Sequence, residues 1–77
     1  MSQNIGKVVE IIGPVVDIQF SQNNLPDLLT AIEIERPNEE NLIVEVEQDI
    51  GADRVRCIAM GSTDGLVRGM DAIDTKK

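Results

Sequence analysis

Histidine, tryptophan and tyrosine are absent from this sequence, and phenylalanine and cysteine occur once each, as Phe20 and Cys57. Each absence closes off a class of function. Without histidine, neither a Ser-His-Asp nor a Cys-His nucleophile can be assembled. A lone cysteine cannot form an internal disulfide and no Cys/His cluster exists for zinc, so both usual staples of a small domain are missing. Cys57 reads as core filler. Basic residues are scarce as well: 7 Lys and Arg stand against 14 Asp and Glu, for a net charge of −7. A nucleic-acid surface needs clustered cations to displace counterions and aromatic rings on which bases stack, and this chain offers neither. No apolar run approaches the roughly 20 residues of a membrane-spanning helix, so no direct membrane insertion is expected. Met1 to Ile5 lacks the basic and apolar regions of a signal peptide, which points to a cytoplasmic or similarly reduced setting.

What is present is a foldable balance, 42% hydrophobic and 27% charged, unlike that of a disordered tail. The 77 residues allow one domain, which buries only about 60% of the surface of its unfolded chain and is marginally stable. That single domain is expected to span 1–77, structured from about residue 5 to residue 75, with Lys76 and Lys77 as end residues. Its core must be aliphatic, and a small aliphatic core suits a closed barrel.

Period-two alternation rich in Val and Ile marks half-buried strands, while helical periodicity is nearly absent. Lys7 to Ile12 reads as a first strand, broken by Gly13-Pro14. Val15 to Phe20 follows, with Val16, Ile18 and Phe20 inward. Ser21 to Asp27 is a polar loop, and Leu28 and Leu29 beyond it are expected to pack within the loop or cover a barrel end. Thr30 to Arg36 sets Ile32 and Ile34 against Glu33 and Glu35, and Pro37 to Asn41 is a solvated turn. Leu42 to Glu47 places Leu42, Val44 and Val46 inside. With Arg54 to Met60 it is expected to form a hairpin in which Glu47 faces Arg54, Val46 faces Val55, Glu45 faces Arg56 and Val44 faces Cys57. Charges then meet charges and apolar residues meet apolar residues. After an irregular stretch from Gly61 to Gly69, Met70 to Asp74 supplies a sixth strand. The fold class expected is all-β, a small closed six-stranded antiparallel barrel.

Three features invite a ligand and lack its chemistry. Gly61, Gly65 and Gly69 could cradle a phosphate, but the only Gly-Lys, Gly6-Lys7, leads into Val8 and a strand instead of Ser or Thr and a helix. Tight turns explain these glycines. Asp49, Gly51 and Asp53 share a loop without the spacing or the terminal bidentate Glu of a calcium site. The many carboxylates alternate outward on strands, as a solvated face does. No catalytic, cofactor-binding or metal-binding residue is therefore expected. Arg68, a cation between Val67 and Gly69, either bonds locally or bridges to a partner.

Two segments carry a family resemblance. Gly6-Lys7-Val8-Val9-Glu10-Ile11-Ile12-Gly13-Pro14-Val15-Val16-Asp17-Ile18 resembles the opening of the catalytic beta subunit of F-type ATP synthases. Val55 to Met60 and then Thr63-Asp64-Gly65-Leu66-Val67-Arg68-Gly69 resemble the same family's downstream motif at the expected distance, and the resemblance as a whole extends over essentially the whole chain, from Ile5 to Thr75. The alpha subunit and the related rotary and secretion ATPases share the fold with different residues in the first strand, so the resemblance is to beta. Cys57 stands where the family usually has threonine. After Asp74-Thr75 the family continues through a glycine into a larger nucleotide-binding domain, where this sequence reads Lys76-Lys77.

The resemblance implies an N-terminal barrel that alternates with alpha-subunit barrels in the crown of a hexameric head, in a complex that makes or hydrolyses ATP coupled to proton transport. Its motif residues Gly6, Gly13, Pro14, Asp17, Thr63, Asp64, Gly65, Leu66, Arg68 and Gly69 would be structural. ATP or ADP and Mg would belong to domains beyond this segment, which would itself be non-catalytic and, in isolation, monomeric. Met1-Ser2-Gln3-Asn4 leading directly into the barrel leans bacterial, which would place the parent complex peripherally on the cytoplasmic side of the inner membrane. The alternative reading is a freestanding acidic barrel that serves as a protein-interaction module.

Overall fold

Alternating apolar residues become an inward row only if the backbone stays extended, and in the computed structural model, which describes residues 3–77, it does so six times. Met1 and Ser2, the start of the segment read above for a signal peptide, lie outside the described residues. The strands are β1 (Ile5–Ile12), β2 (Val15–Gln19), β3 (Ala31–Ile34), β4 (Leu42–Gly51), β5 (Arg54–Ala59) and β6 (Asp71–Asp74). All neighbours are antiparallel, and the order β1-β2-β5-β4-β3-β6 closes on itself as a barrel. Among the described residues there is no helix, hence none long and apolar enough to cross a membrane.

The inner wall is the expected one. Val16, Ile18, Ile32, Ile34, Val44, Val46 and Cys57 have no exposed surface, and Phe20, just past the end of β2, is 3% exposed. Burying an aliphatic side chain of this size stabilises by about 1.5–3 kcal/mol, so these rows supply most of the driving force. Closure demands curvature, and β1 provides it with a bulge between Val8 and Glu10, which bends a strand and increases its twist. Gly6 lets β1 pass closely over β2: a Cβ there would lie 2.7 Å from the Gln19 carbonyl oxygen and 2.9 Å from both Ile18 and Phe20. Only glycine fits that crossing.

The expected register of the β4–β5 hairpin is overturned. Val44 faces Ala59, Glu45 faces Ile58 and Val46 faces Cys57, and beyond them Gln48 faces Arg56 and Gly51 faces Arg54. β4 overshoots the segment expected for it and carries irregularities at Val46/Gln48 and Asp49/Gly51. The turn then falls at Ala52 and Asp53, both left-handed (φ 55° and 61°), as in a type I′ turn. No Asn-Gly or Gly-Gly announces it. Arg56 meets Asp17 of β2 instead of Glu45. Near Val44 to Val46 the slip is two residues, which preserves the period-two faces, so the inside-outside assignment survived an incorrect pairing.

Leu28 and Leu29 neither pack in their loop nor cover a barrel end: they are 60% and 65% exposed. Leu25 and Pro26 sit against the barrel in their place, half-buried and buried respectively. The turn holds the leucines outward, because Leu29 donates its N–H to the Val46 carbonyl at 2.7 Å and Thr30 donates to Asp27 at 3.2 Å.

Candidate functional site

The glycine-rich segment between β5 and β6 forms a strap across one end of the barrel. Leu66, 9% exposed, projects from it into the core. Thr63 Oγ1 donates to the Gly13 carbonyl at 3.0 Å and fastens the strap to the Gly13-Pro14 turn, while Pro14 accepts from the Ala59 N–H at 2.9 Å. The Asp64 N–H is held by Ser62 Oγ at 3.1 Å, and Gly65 follows with a φ of 85°. Gly69, at φ 96°, reverses the chain into β6 in a conformation that side chains resist. Its N–H reaches the Val8 carbonyl at 2.7 Å, and the Val8 N–H returns to the Met70 carbonyl at 3.0 Å. These bonds extend the β1–β6 ladder along the bulge in β1.

The sequence-predicted motif thus converges in part. Gly13, Pro14, Thr63, Asp64, Gly65, Leu66 and Gly69 meet at the strapped end. Gly6 and Asp17 lie along the wall, each with a packing task of its own. Arg68 is exposed and, among the described residues, makes neither a hydrogen bond nor an ion pair. The one residue that organises this end and was not anticipated is Arg36. Its Nε donates to the Glu40 carbonyl at 2.9 Å, and its Nη1 donates to the carbonyls of Ser62 and Asp64 at 2.9 and 3.0 Å. A planar guanidinium with several fixed donors suits such a clamp. The only hint in the sequence was an arginine closing an otherwise acidic strand just before Pro37.

Along the wall, Asp17 is 6% exposed and receives two parallel bonds from Arg56, from Nε and Nη2, both at 2.9 Å. Bidentate pairing raises the Arg56 guanidinium above its ordinary value, first through these hydrogen bonds and then through the carboxylate charge. A carboxylate so nearly buried needs its partner. Beside it, burial pushes the Cys57 thiol up to about 12, so at neutral pH it is a protonated core group and not a nucleophile. Asp49 uses Oδ1 to accept the Gly51 N–H at 2.9 Å, a contact within the turn. Among the described residues no group of three or more His, Cys, Asp or Glu side chains could hold a metal ion.

The groove beside the strap is lined by Glu10, Ile11, Leu66, Val67 and Arg68, one carboxylate and one guanidinium among apolar side chains. Chemistry gives way to surface shape on the outer wall. Ile12 pairs with Val15, Val15 with Ile58, and the Met60 N–H reaches the Ile43 carbonyl at 2.8 Å. Ile12 is 64% and Met60 58% exposed. An apolar stripe therefore crosses the outside of β1, β2, β5 and β4 on a barrel whose core is already filled. Contiguous exposed apolar surface rimmed by charge marks an interaction site.

The fold and the strap agree with a family model. The model for the ATP synthase alpha/beta family, beta-barrel domain, matches residues 8–76, and the chain belongs to that family.

Proposed function

We propose that this domain is the N-terminal barrel of a beta-type subunit and serves as scaffold, packing beside alpha-subunit barrels to hold a catalytic hexamer together. The beta assignment rests on the run from Gly6 to Ile18 together with Thr63 to Gly69. The observation that carries the packing role is the outer apolar stripe of Ile12, Val15, Ile43, Ile58 and Met60, which the barrel does not need for its own core. Closed strands leave few free edges and make a stiff block, suited to a fixed collar against which other domains open and close. Nucleotide, magnesium and the proton-coupled making or breaking of ATP belong, in this reading, to other domains of the parent complex. That complex would lie peripherally on the cytoplasmic face of a bacterial inner membrane.

The test is to mix the chain with an alpha-subunit N-terminal barrel and follow cross-linking from cysteine placed at Met60, in a background with Cys57→Thr. Specific cross-links that disappear when Ile12 and Ile43 are changed to Ser support the reading. A stable homohexamer of the chain alone, or tight ATP binding by it, refutes the reading.

A further inference from the structure

Among the described residues, the far end of β4 has a strand neighbour on one side only. β3 accompanies β4 only from Leu42 to Glu45, and the pairing ends where Val46 donates to Thr30 at 3.0 Å and accepts from Leu29. Beyond that point β4 runs on to Gly51 with β5 as its only partner among the described residues. Glu47, Gln48 and Asp49 are exposed on this stretch and Ile50 is half-buried. Unpaired backbone groups along an extended edge are a template for another strand. The edge starts at the turn that presents Leu28 and Leu29, and Leu29 holds a left-handed φ of 70° there, which branched side chains adopt only under constraint.

We propose that the β4 edge from Glu47 to Gly51, with Leu28 and Leu29 beside it, receives an extended basic and apolar segment of a neighbouring subunit as an added strand. This deepens the scaffold reading and rests on it. Main-chain bonds would supply affinity and the flanking side chains selectivity, as in other strand additions. Charge identifies the occupant: Glu45, Glu47 and Asp49 lie on β4 itself, whereas Lys76 shares a pocket with Asp27 and Thr30 and Lys77 ends beside Ala31, on the other side of β3. Of the cations on the hairpin, Arg56 is held by Asp17, which leaves Arg54 at the tip. An incoming segment with Lys or Arg facing these carboxylates, and aliphatic residues facing the two leucines, answers both surfaces at once.

The test uses the chain itself and a synthetic capped peptide of alternating Lys and Val, with a proline-interrupted copy as control. Expected are slowed amide exchange and shifted resonances at Glu47 to Gly51, shifted Leu28 and Leu29 methyls, and no effect from the proline peptide. Leu29→Asn suits the left-handed backbone while removing the apolar group. It should weaken the peptide about tenfold, a fair share of one buried leucine, and leave the melting temperature equal or higher. Ile12→Ser, on the outer stripe, should leave peptide binding unchanged, so failure here is separate from failure of the alpha-barrel contact. Equal binding of the proline peptide, shifts spread over all acidic faces, or a lowered melting temperature in Leu29→Asn would overturn the proposal.

Discussion

The β1–β2 hairpin turns flush with the barrel rim at Gly13-Pro14, tied to the strap through Thr63 and to β5 through the Ala59 N–H. The β4–β5 hairpin runs past Ala31, the first residue of β3, and turns at Ala52-Asp53, where β4 has a neighbour on one side only. Both are antiparallel, both contain a bulge, and both carry a two-residue turn. They differ in what surrounds them. The rim hairpin is committed to the wall, so its substitutions should be read out as stability. The projecting hairpin is held on its β5 side by β2, as far as Gln19 opposite Arg54, and by the Phe20 N–H donated to the Asp53 carbonyl, so that only its β4 edge is left available for contact.

The largest effect should break the comparison if it is wrong. Ile18→Ala on β2 removes a side chain with no exposed surface and should destabilise by about 2–5 kcal/mol, whereas Ile50→Ala on the projecting stretch should cost about 0.5 kcal/mol or less. Urea denaturation of both variants decides it, and similar losses would mean that the overhang is part of the core.

Arg36→Gln should come next, at about 1–2 kcal/mol, because three backbone carbonyls lose a charged donor and bonds to charged groups are among the stronger ones. Amide exchange sharpens the contrast. Protection at Leu66 and Gly69 should fall, while Val55 and Arg56 in the other hairpin keep theirs. Uniform loss would show that the strap is not a separate unit.

The projecting turn offers the opposite sign. Ala52 and Asp53 both sit at positive φ, where Asn and Gly are preferred. Ala52→Asn combined with Asp53→Gly should stabilise by about 1 kcal/mol, seen as a raised thermal midpoint. The same pair placed at Gly13-Pro14 should gain nothing, since glycine already occupies the strained position there.

These turns also explain what could be read from the sequence. Strand identity and facing were legible because period two is carried by many residues at once, and no single error moves Val44 or Ile32 to the outside. Register was not, because it depends on a few: Ala52 and Asp53 carry no turn signature, and the irregularities at Val46/Gln48 and Asp49/Gly51 leave no compositional trace. The expected match of Glu45 with Arg56 was plausible pairwise and wrong because Asp17, distant in sequence, is the closer carboxylate. Likewise the motif from Thr63 to Gly69 was visible as a pattern, whereas its clamp, Arg36, lies 26 residues from Ser62 and 28 from Asp64 and only folding brings them together. The exposed leucines failed for a third reason: hydrophobicity predicts burial on average, and a surface built for a neighbour departs from that average.

The smallest effect concerns the charge on the projecting strand. The Glu47 carboxyl lies above its ordinary value of 4.5, first through a hydrogen bond with the Glu45 side chain, then through desolvation and the Glu45 charge. A carboxyl raised on folding is less willing to ionise in the native state, so its contribution to stability is full below about 4.5 and is lost as pH climbs through the higher folded value. Glu47→Gln removes that ionisation while keeping a group that can bond to Glu45. Its thermal midpoint should exceed that of the parent slightly at pH 7, by less than the turn substitutions achieve, and the two proteins should converge as pH falls below 4.5. A variant that is less stable at pH 7, or a gap that widens in acid, would mean that the paired carboxylates are not in conflict, and the outward charge of this hairpin would then need no partner to relieve it.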